Sequence, residues 1–341
     1  MNFTSDNAYG AAPEILKAIA EANAGAAVPY GDDEITAALQ RRFSKVFERD
    51  VAAYPVLTGT AANGLALGTL APPYGAIFCH EQGHIAVDEC GAPEFFSGGA
   101  RVVSLKGTDG KITPDAIKSV LPLYQRGVHS PKPSVISIAQ ATEFGTVYRA
   151  DEIAALAHLA NSEGMRLHMD GARFANAVAF LRCTPAEITW KAGVDVLSFG
   201  ASKNGALCAE AVVFFDKAMA RDFEYRRKRS GQLLSKMRFL SAQLLAYLDQ
   251  DRWLNWARRS NALAQVVGER LSMLPQAHVI VPIEANEVFL ALPNEQVRAL
   301  QRAGVQFYEW ERNGERTIGR FVLSYLTPDE DITKLVQLLQ S

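Results

Sequence analysis

Hydrophobic positions along the chain follow two rhythms: short apolar runs of strand length, and longer stretches spaced like one face of a helix. From about residue 50 to 216 the two alternate, the pattern of strands joined by helices around a largely parallel sheet. One unit is especially legible. Ile153, Leu156, Ala157 and Ala160 stand at i, i+3, i+4 and i+7, so a helix is expected there with Asp151 as its cap. Gly164 suits the left-handed turn that ends a helix, Met165–Met169 reads as the next strand, and Asp170 stands at its carboxyl end. Val194–Phe199 repeats the grammar, a strand broken by Gly200 with Ser202 and Lys203 directly after it. Upstream, strand-like Tyr54–Leu57 runs into Thr58-Gly59-Thr60-Ala61-Ala62-Asn63-Gly64, which is expected to turn into a helix.

Beyond about residue 231 the pattern changes to long helices, one marked by the stripe Leu240, Leu244, Leu245 and Leu248. After Pro275 come three or four strand-like runs, Val279–Pro282, Val288–Leu292, Val305–Trp310 and Gly319–Leu326. A helix near 294–303 and another after Pro328 complete the chain. The expected fold class is α/β. A large domain with a mainly parallel sheet takes in an N-terminal arm and a connecting helix over residues 1–250, and a small C-terminal α+β domain covers 251–341.

Ligands of an open α/β sheet gather beyond the carboxyl ends of its strands. Three expected features lie there. The Thr58-Gly59-Thr60 turn offers backbone N–H groups and a helix dipole to a phosphate. Asp170 offers a carboxylate, and Lys203 offers an amine flanked by the apolar runs Val194–Phe199 and Leu207–Phe215. Pyridoxal 5′-phosphate needs this set: a helix N-terminus for its phosphate, a carboxylate facing its ring nitrogen, and a lysine for its aldehyde. Taken singly, each residue also suits an ordinary role, Asp170 as a turn residue and Lys203 as a surface charge.

His80-Glu81-Gln82-Gly83-His84 matches the zinc-protease pattern, two histidines on one helical face with a glutamate base. That chemistry needs a stable helix. Here the motif follows the strand-like run Ala76–Cys79, and Gly83 inside a helix would cost about 1 kcal/mol relative to alanine. A loop after a strand is the better reading, with no metal site expected and His84 beside the same carboxyl-end cleft.

Composition narrows the partners. Among 341 residues, 35 basic and 37 acidic side chains leave a formal charge of −2, which favours neither nucleic acid nor an anionic membrane. No apolar run is long enough for a bilayer, no secretory leader is expected, and Cys79, Cys90, Cys183 and Cys208 form no C-x-x-C pair. A cytoplasmic protein with reduced, mostly buried thiols is expected.

With these residues in hand, the chain resembles the low-specificity L-threonine aldolases of the aspartate-aminotransferase-like fold group. The resemblance rests on Thr4-Ser5-Asp6, Tyr30-Gly31-Asp32-Asp33, Gly59-Thr60 and Gly83-His84-Ile85. Its strongest elements are His168-Met169-Asp170-Gly171-Ala172-Arg173 and Ser198-Phe199-Gly200-Ala201-Ser202-Lys203-Asn204-Gly205. The resemblance implies that Lys203 carries the cofactor as a Schiff base, Asp170 pairs with its ring nitrogen, and Gly59 and Thr60 hold its phosphate. His84 would stack on the ring and act, directly or through a water, as the base at the substrate hydroxyl. Ser5, Arg173 and Arg320 would grip the substrate carboxylate, with Arg173 also beside the cofactor. Tyr30 would reach in from a neighbouring copy of a homo-oligomer, a dimer of dimers with shared active sites. The implied reaction is retro-aldol cleavage of L-threonine, L-allo-threonine and related β-hydroxy-α-amino acids to glycine and an aldehyde. The runner-up readings are a β-eliminating lyase or an aminotransferase of the same fold, and a zinc hydrolase using His80, Glu81 and His84. The chain departs from the family at Gln140-Ala141-Thr142-Glu143-Phe144-Gly145, where Glu143 stands in place of a histidine that would read the β-hydroxyl, and again at Lys228-Arg229-Ser230-Gly231-Gln232-Leu233.

Overall fold

In the computed structural model, which describes residues 1–340, seven strands form one twisted sheet in the order β1-β7-β6-β5-β4-β2-β3. They are β1 (Ala52–Val56), β2 (Gly75–His80), β3 (Arg101–Leu105), β4 (Lys132–Ala139), β5 (Arg166–Gly171), β6 (Val196–Phe199) and β7 (Glu210–Phe214). Strands β3, β2, β4, β5 and β6 run parallel, while β7 runs antiparallel to both β6 and β1. The central strands β5 and β6 are buried at every position but Arg166, because both faces of a parallel sheet are covered. Their register sets Ala139, Asp170 and Ser198 side by side at one edge.

Four shorter strands, β8 (His278–Val279), β9 (Glu287–Pro293), β10 (Tyr308–Asn313) and β11 (Arg316–Val322), make a separate antiparallel sheet in the order β10-β11-β9-β8. The expected mainly parallel α/β sheet and small α+β unit are both present. The 21-residue helix Arg252–Ser272 links their cores: Trp253 and Ala257 pack with the large sheet, and Leu263, Ala264, Val267 and Leu271 pack with the small one. Phe3 also belongs to the second core, because the first residues bond to Gln306.

Local expectations held in position more than in detail. The helix predicted from Ile153 runs Ala150–Ser162, but Asp151 is not its cap. Arg149 stands there, and its backbone N–H donates to the Glu152 carboxylate at 2.6 Å, a bond the hydrophobic spacing does not foretell. The last two strands are displaced from the predicted runs. Gly314-Glu315, with Gly314 at φ 59°, makes the hairpin turn between the paired residues Asn313 and Arg316, so β10 ends and β11 begins around it. Cys79 is buried as expected, whereas Cys90 is exposed.

Candidate active site

The carboxyl edge of the parallel strands opens into a cavity of about 600 Å³. Each part of its wall follows from a local rule. After β1, Thr58 caps the Gly59–Leu70 helix, its Oγ1 accepting the Ala61 N–H at 3.1 Å. The next N–H groups, at Gly59 and Thr60, have no helical carbonyl to donate to, and a Cβ built on Gly59 would meet no atom within 4 Å. The helix start therefore faces open space.

Asp170 ends β5. Its Oδ1 accepts the Ala172 N–H at 3.0 Å and its Oδ2 accepts from Asn63 Nδ2 at 2.8 Å. The residue is buried, yet no basic side chain among the described residues forms a salt bridge with it. A buried carboxylate without a cation is costly, and a protonated ring nitrogen would relieve it. Next to it, His168 is fully buried between Ser137 Oγ at 2.9 Å and Ser198 Oγ at 3.0 Å, and burial pushes its pKa down to about 4. That histidine ties β4, β5 and β6 together as a neutral ring.

Lys203 sits in a 3₁₀ turn, Ser202–Asn204, directly after β6. The turn is pinned on both sides. Glu210 accepts the N–H groups of Ala201 at 3.0 Å and Ser202 at 3.3 Å, and burial pushes its carboxyl up to about 7. On the other side Asn204 Nδ2 donates to Tyr247 Oη and Trp253 O, both at 2.8 Å. Gly200 lets the turn leave the sheet, since a Cβ there would stand 2.7 Å from the backbone of Ala172.

His84 opens the short helix His84–Val87, and its Nδ1 lies 2.8 Å from Glu89 Oε1. The Glu89 hydrogen bond raises the His84 pKa above its usual value, while burial raises that of Glu89. Asn63 Nδ2 donates to Glu89 as well as to Asp170, joining the three acidic and basic groups. His84, Glu89 and Asp170 bring ligand atoms within 4.8 Å of one another, close enough for a metal ion, but these hydrogen bonds already account for their closeness.

Ser5, Arg173 and Arg320 also line the cavity. Arg173 is buried and largely engaged: its Nε and Nη2 donate to Asp6 at 2.9 and 2.8 Å, and its Nη1 lies 3.5 Å from Glu287. Arg320 reaches Glu287 only at 3.9 Å and lies over the rings of Tyr308 and Trp310.

The structure thus gathers Ser5, Gly59, Thr60, His84, Asp170, Arg173, Lys203 and Arg320 around one cavity. Tyr30 is absent from its lining; it is exposed, at φ 62°, with the Lys228 ammonium over its ring. The two histidines of the zinc-like motif separate. His80 ends β2, with Nε2 3.1 Å from Gly107 O and Nδ1 accepting the Gln82 N–H, whereas His84 lies across the turn. A helix presenting both is therefore missing. Sequence reasoning did not single out Asp6, Asn63, Glu89, Glu210 or Glu287. Only Asp6, next to Ser5, and Asn63, one turn into the phosphate-type helix, carried any local signal.

Residues 2–293 match the beta-eliminating lyase family. The chain belongs to that family. It is 45% identical to a low specificity L-threonine aldolase of Pseudomonas sp., over 98% of this chain and 95% of that one. The identity is also 45% to a low specificity L-threonine aldolase of Pseudomonas aeruginosa, over 98% and 96%. A solved threonine aldolase from Leishmania major superposes with a TM-score of 0.94 at 26% identity, covering 99% of this chain and 98% of its own. The chain is a pyridoxal-phosphate-dependent lyase, and the donor set fits that cofactor: an amine, an unpaired buried carboxylate and an open helix N-terminus in one cavity.

Proposed function

We propose that this enzyme cleaves L-threonine, L-allo-threonine and related β-hydroxy-α-amino acids to glycine and an aldehyde, acetaldehyde in the case of threonine. The observation that carries the reading is the meeting of Lys203, Asp170, the Gly59–Thr60 helix start and two guanidinium groups around one cavity of about 600 Å³. The near-full-length likeness to two threonine aldolases supports the substrate class.

Pyridoxal phosphate, when bound, supplies the electron sink for a bond that breaks at the substrate α-carbon. Lys203 would hold it through Nζ, Asp170 would face its ring nitrogen, and the N–H groups of Gly59 and Thr60 would receive its phosphate. His84 would lie against the ring and point its remaining ring nitrogen at the substrate hydroxyl. Arg320, with Ser5 and the free edge of Arg173, would grip the substrate carboxylate, which turns the Cα–Cβ bond into the orientation that breaks.

A homo-oligomer with shared active sites, a dimer of dimers, belongs to the same proposal. The exposure of Tyr30, remote from its own chain's cavity lining, supports it. A division into a large unit over 1–250 and a small one from 251, and a cytoplasmic location, complete the reading. The four unpaired cysteines support that location, and among the described residues no helix is long and apolar enough to cross a membrane.

The test is to incubate the purified protein with L-threonine and pyridoxal phosphate, without a keto acid, and measure acetaldehyde and glycine. Borohydride reduction followed by mass spectrometry should place a pyridoxyl group on Lys203, and Lys203→Ala should abolish turnover. A requirement for a keto acid would instead indicate an aminotransferase, and release of ammonia with a keto acid product would indicate β-elimination.

A further inference from the structure

We infer that Glu143 is the group that takes the β-hydroxyl proton when the substrate Cα–Cβ bond breaks, an inference that rests on the aldol-cleavage reading above. Four carboxyl residues line the cavity: Asp88, Glu143, Asp170 and Glu210. Asp88 is exposed. Both oxygens of Asp170 accept hydrogen bonds, from Asn63 and Ala172, and those of Glu210 accept from Ala201 and Ser202. Glu143 differs. Its Oε1 accepts the His84 N–H at 2.8 Å, while its Oε2 is buried and has no partner.

The loop that carries the carboxyl is also pinned. It sits in a tight turn where Gly145 N–H donates to Thr142 O at 2.9 Å, and Phe144 and Thr146 N–H donate to Thr142 Oγ1 at 3.3 and 3.2 Å. The neighbouring Phe144 ring is wedged among Phe289, Trp310 and His80. Glu143 lines the cavity beside the residue proposed to lie over the cofactor, and its Oε2, closed to water in the ligand-free chain, lacks a donor that a substrate hydroxyl would supply once the carboxyl turns towards it.

The nearby nitrogen base is less free. His84 Nδ1 is engaged with Glu89 at 2.8 Å, and that hydrogen bond raises its pKa and so favours the form that has no lone pair to offer. The groups facing Glu143 come from several elements: Cys79 of β2, His84, Tyr148, Asp170 of β5 and Arg173. Burial, then the Asp170 charge, push its carboxyl up to about 7, against the pull of the His84 N–H and ring charge. A group balanced there takes up and returns a proton with little penalty near neutral pH.

The step balances. The hydroxyl O–H bond breaks and its proton passes to Glu143 Oε2. The electron pair of that bond becomes the second bond of the aldehyde carbonyl, and the Cα–Cβ pair stays on Cα. The aldehyde leaves, Glu143 returns its proton to water, and Cα takes one proton in exchange, giving glycine.

The experiment compares wild-type holoenzyme with Glu143→Gln and Glu143→Asp. In Glu143→Gln, threonine cleavage should fall about 10²- to 10³-fold, whereas exchange of the glycine α-proton for deuterium should stay within about threefold, since it involves no β-hydroxyl. Glu143→Asp should recover part of the cleavage. In the cofactor-free proteins, the infrared difference between wild type and Glu143→Gln should show a protonated-carboxyl band that fades as pH rises through about 7. Cleavage undiminished in Glu143→Gln would overturn the inference. So would parallel loss of exchange and cleavage, which would make Glu143 a structural prop, or a difference spectrum without that band. A wild-type enzyme that exchanges glycine but never cleaves threonine would refute the aldolase reading itself.

Discussion

Replacing Asp6 by Asn should unfasten the amino-terminal arm from the substrate-facing wall of the cavity. Asp6 accepts two hydrogen bonds from Arg173, at 2.9 and 2.8 Å, and a third from Asn286 at 3.0 Å, with all three residues buried. Burial alone would push its carboxyl up. The Arg173 charge, then that of Lys203, outweigh burial and hold it below the usual 3.8. Removing one member of a buried pair costs about 3–5 kcal/mol, because the survivor is left charged and poorly solvated. Glu287, 3.5 Å from Arg173 Nη1, can take over part of the pairing, so the lower end, about 3 kcal/mol, is expected here. At roughly 2–4 °C per kcal/mol for a chain of a few hundred residues, the melting temperature should fall by about 6–12 °C.

Urea and thermal unfolding of the cofactor-free proteins at neutral pH measure this. The pH dependence gives a second check. A depressed carboxyl contributes stability that is present above its unfolded pKa of about 3.8 and is lost as pH falls through its lower folded value, so wild type and variant should converge in acid. A neutral-pH difference below about 1 kcal/mol, or one that persists unchanged in acid, would refute the reasoning.

Three further outcomes are expected. Thr58→Ala removes the 3.1 Å cap on the helix that faces the cavity, costing about 1 kcal/mol, and should loosen pyridoxal phosphate about fivefold in an absorbance titration; unchanged affinity would disconnect that helix from the phosphate. Gly200→Ala drives a Cβ to within 2.7 Å of Ala172 backbone and displaces the Lys203 turn, so the variant should lose about 1–3 kcal/mol and fail to develop the absorbance of lysine-bound cofactor. Glu89→Gln removes the carboxylate that raises the His84 pKa, so the His84 midpoint followed by NMR in cofactor-free protein should drop; an unmoved midpoint would show that Asp170 alone sustains it.

The legible parts of this protein were those whose causes are local. Alternation of strand and helix periods located β1, β2, β5 and β6 to within a residue or two at each end, and an apolar run held β7, whereas β3 and β4 were not singled out. The order strand, turn, functional residue placed Asp170 at the end of β5 and Lys203 just past β6. Gly83 and the preceding apolar run argued against a helical zinc motif, and His80 and His84 do lie on different elements. Misreadings arose where a local polar bond or turn, to which hydrophobic spacing is blind, sets an element's end. Arg149 rather than Asp151 caps its helix because Glu152 folds back onto its N–H. The β10–β11 hairpin is centred by Gly314-Glu315, which sets the strand ends apart from the apolar runs.

The sequence by itself determined the elements, the edge of the sheet where chemistry gathers, and the type of group each strand end delivers there, because hydrophobic period and turn chemistry act over a few residues. Only the tertiary structure decided the state of those groups. Arg173 reads as a free carboxylate grip until Asp6, 167 positions away, is seen to occupy two of its nitrogens. His84 reads as a free base until Glu89 is seen 2.8 Å from its Nδ1, and Glu143 reads as a lost histidine until one of its oxygens is found buried without a partner. Charge and proton affinity depend on burial and on partners brought together by the folded chain, and no period in the sequence records either.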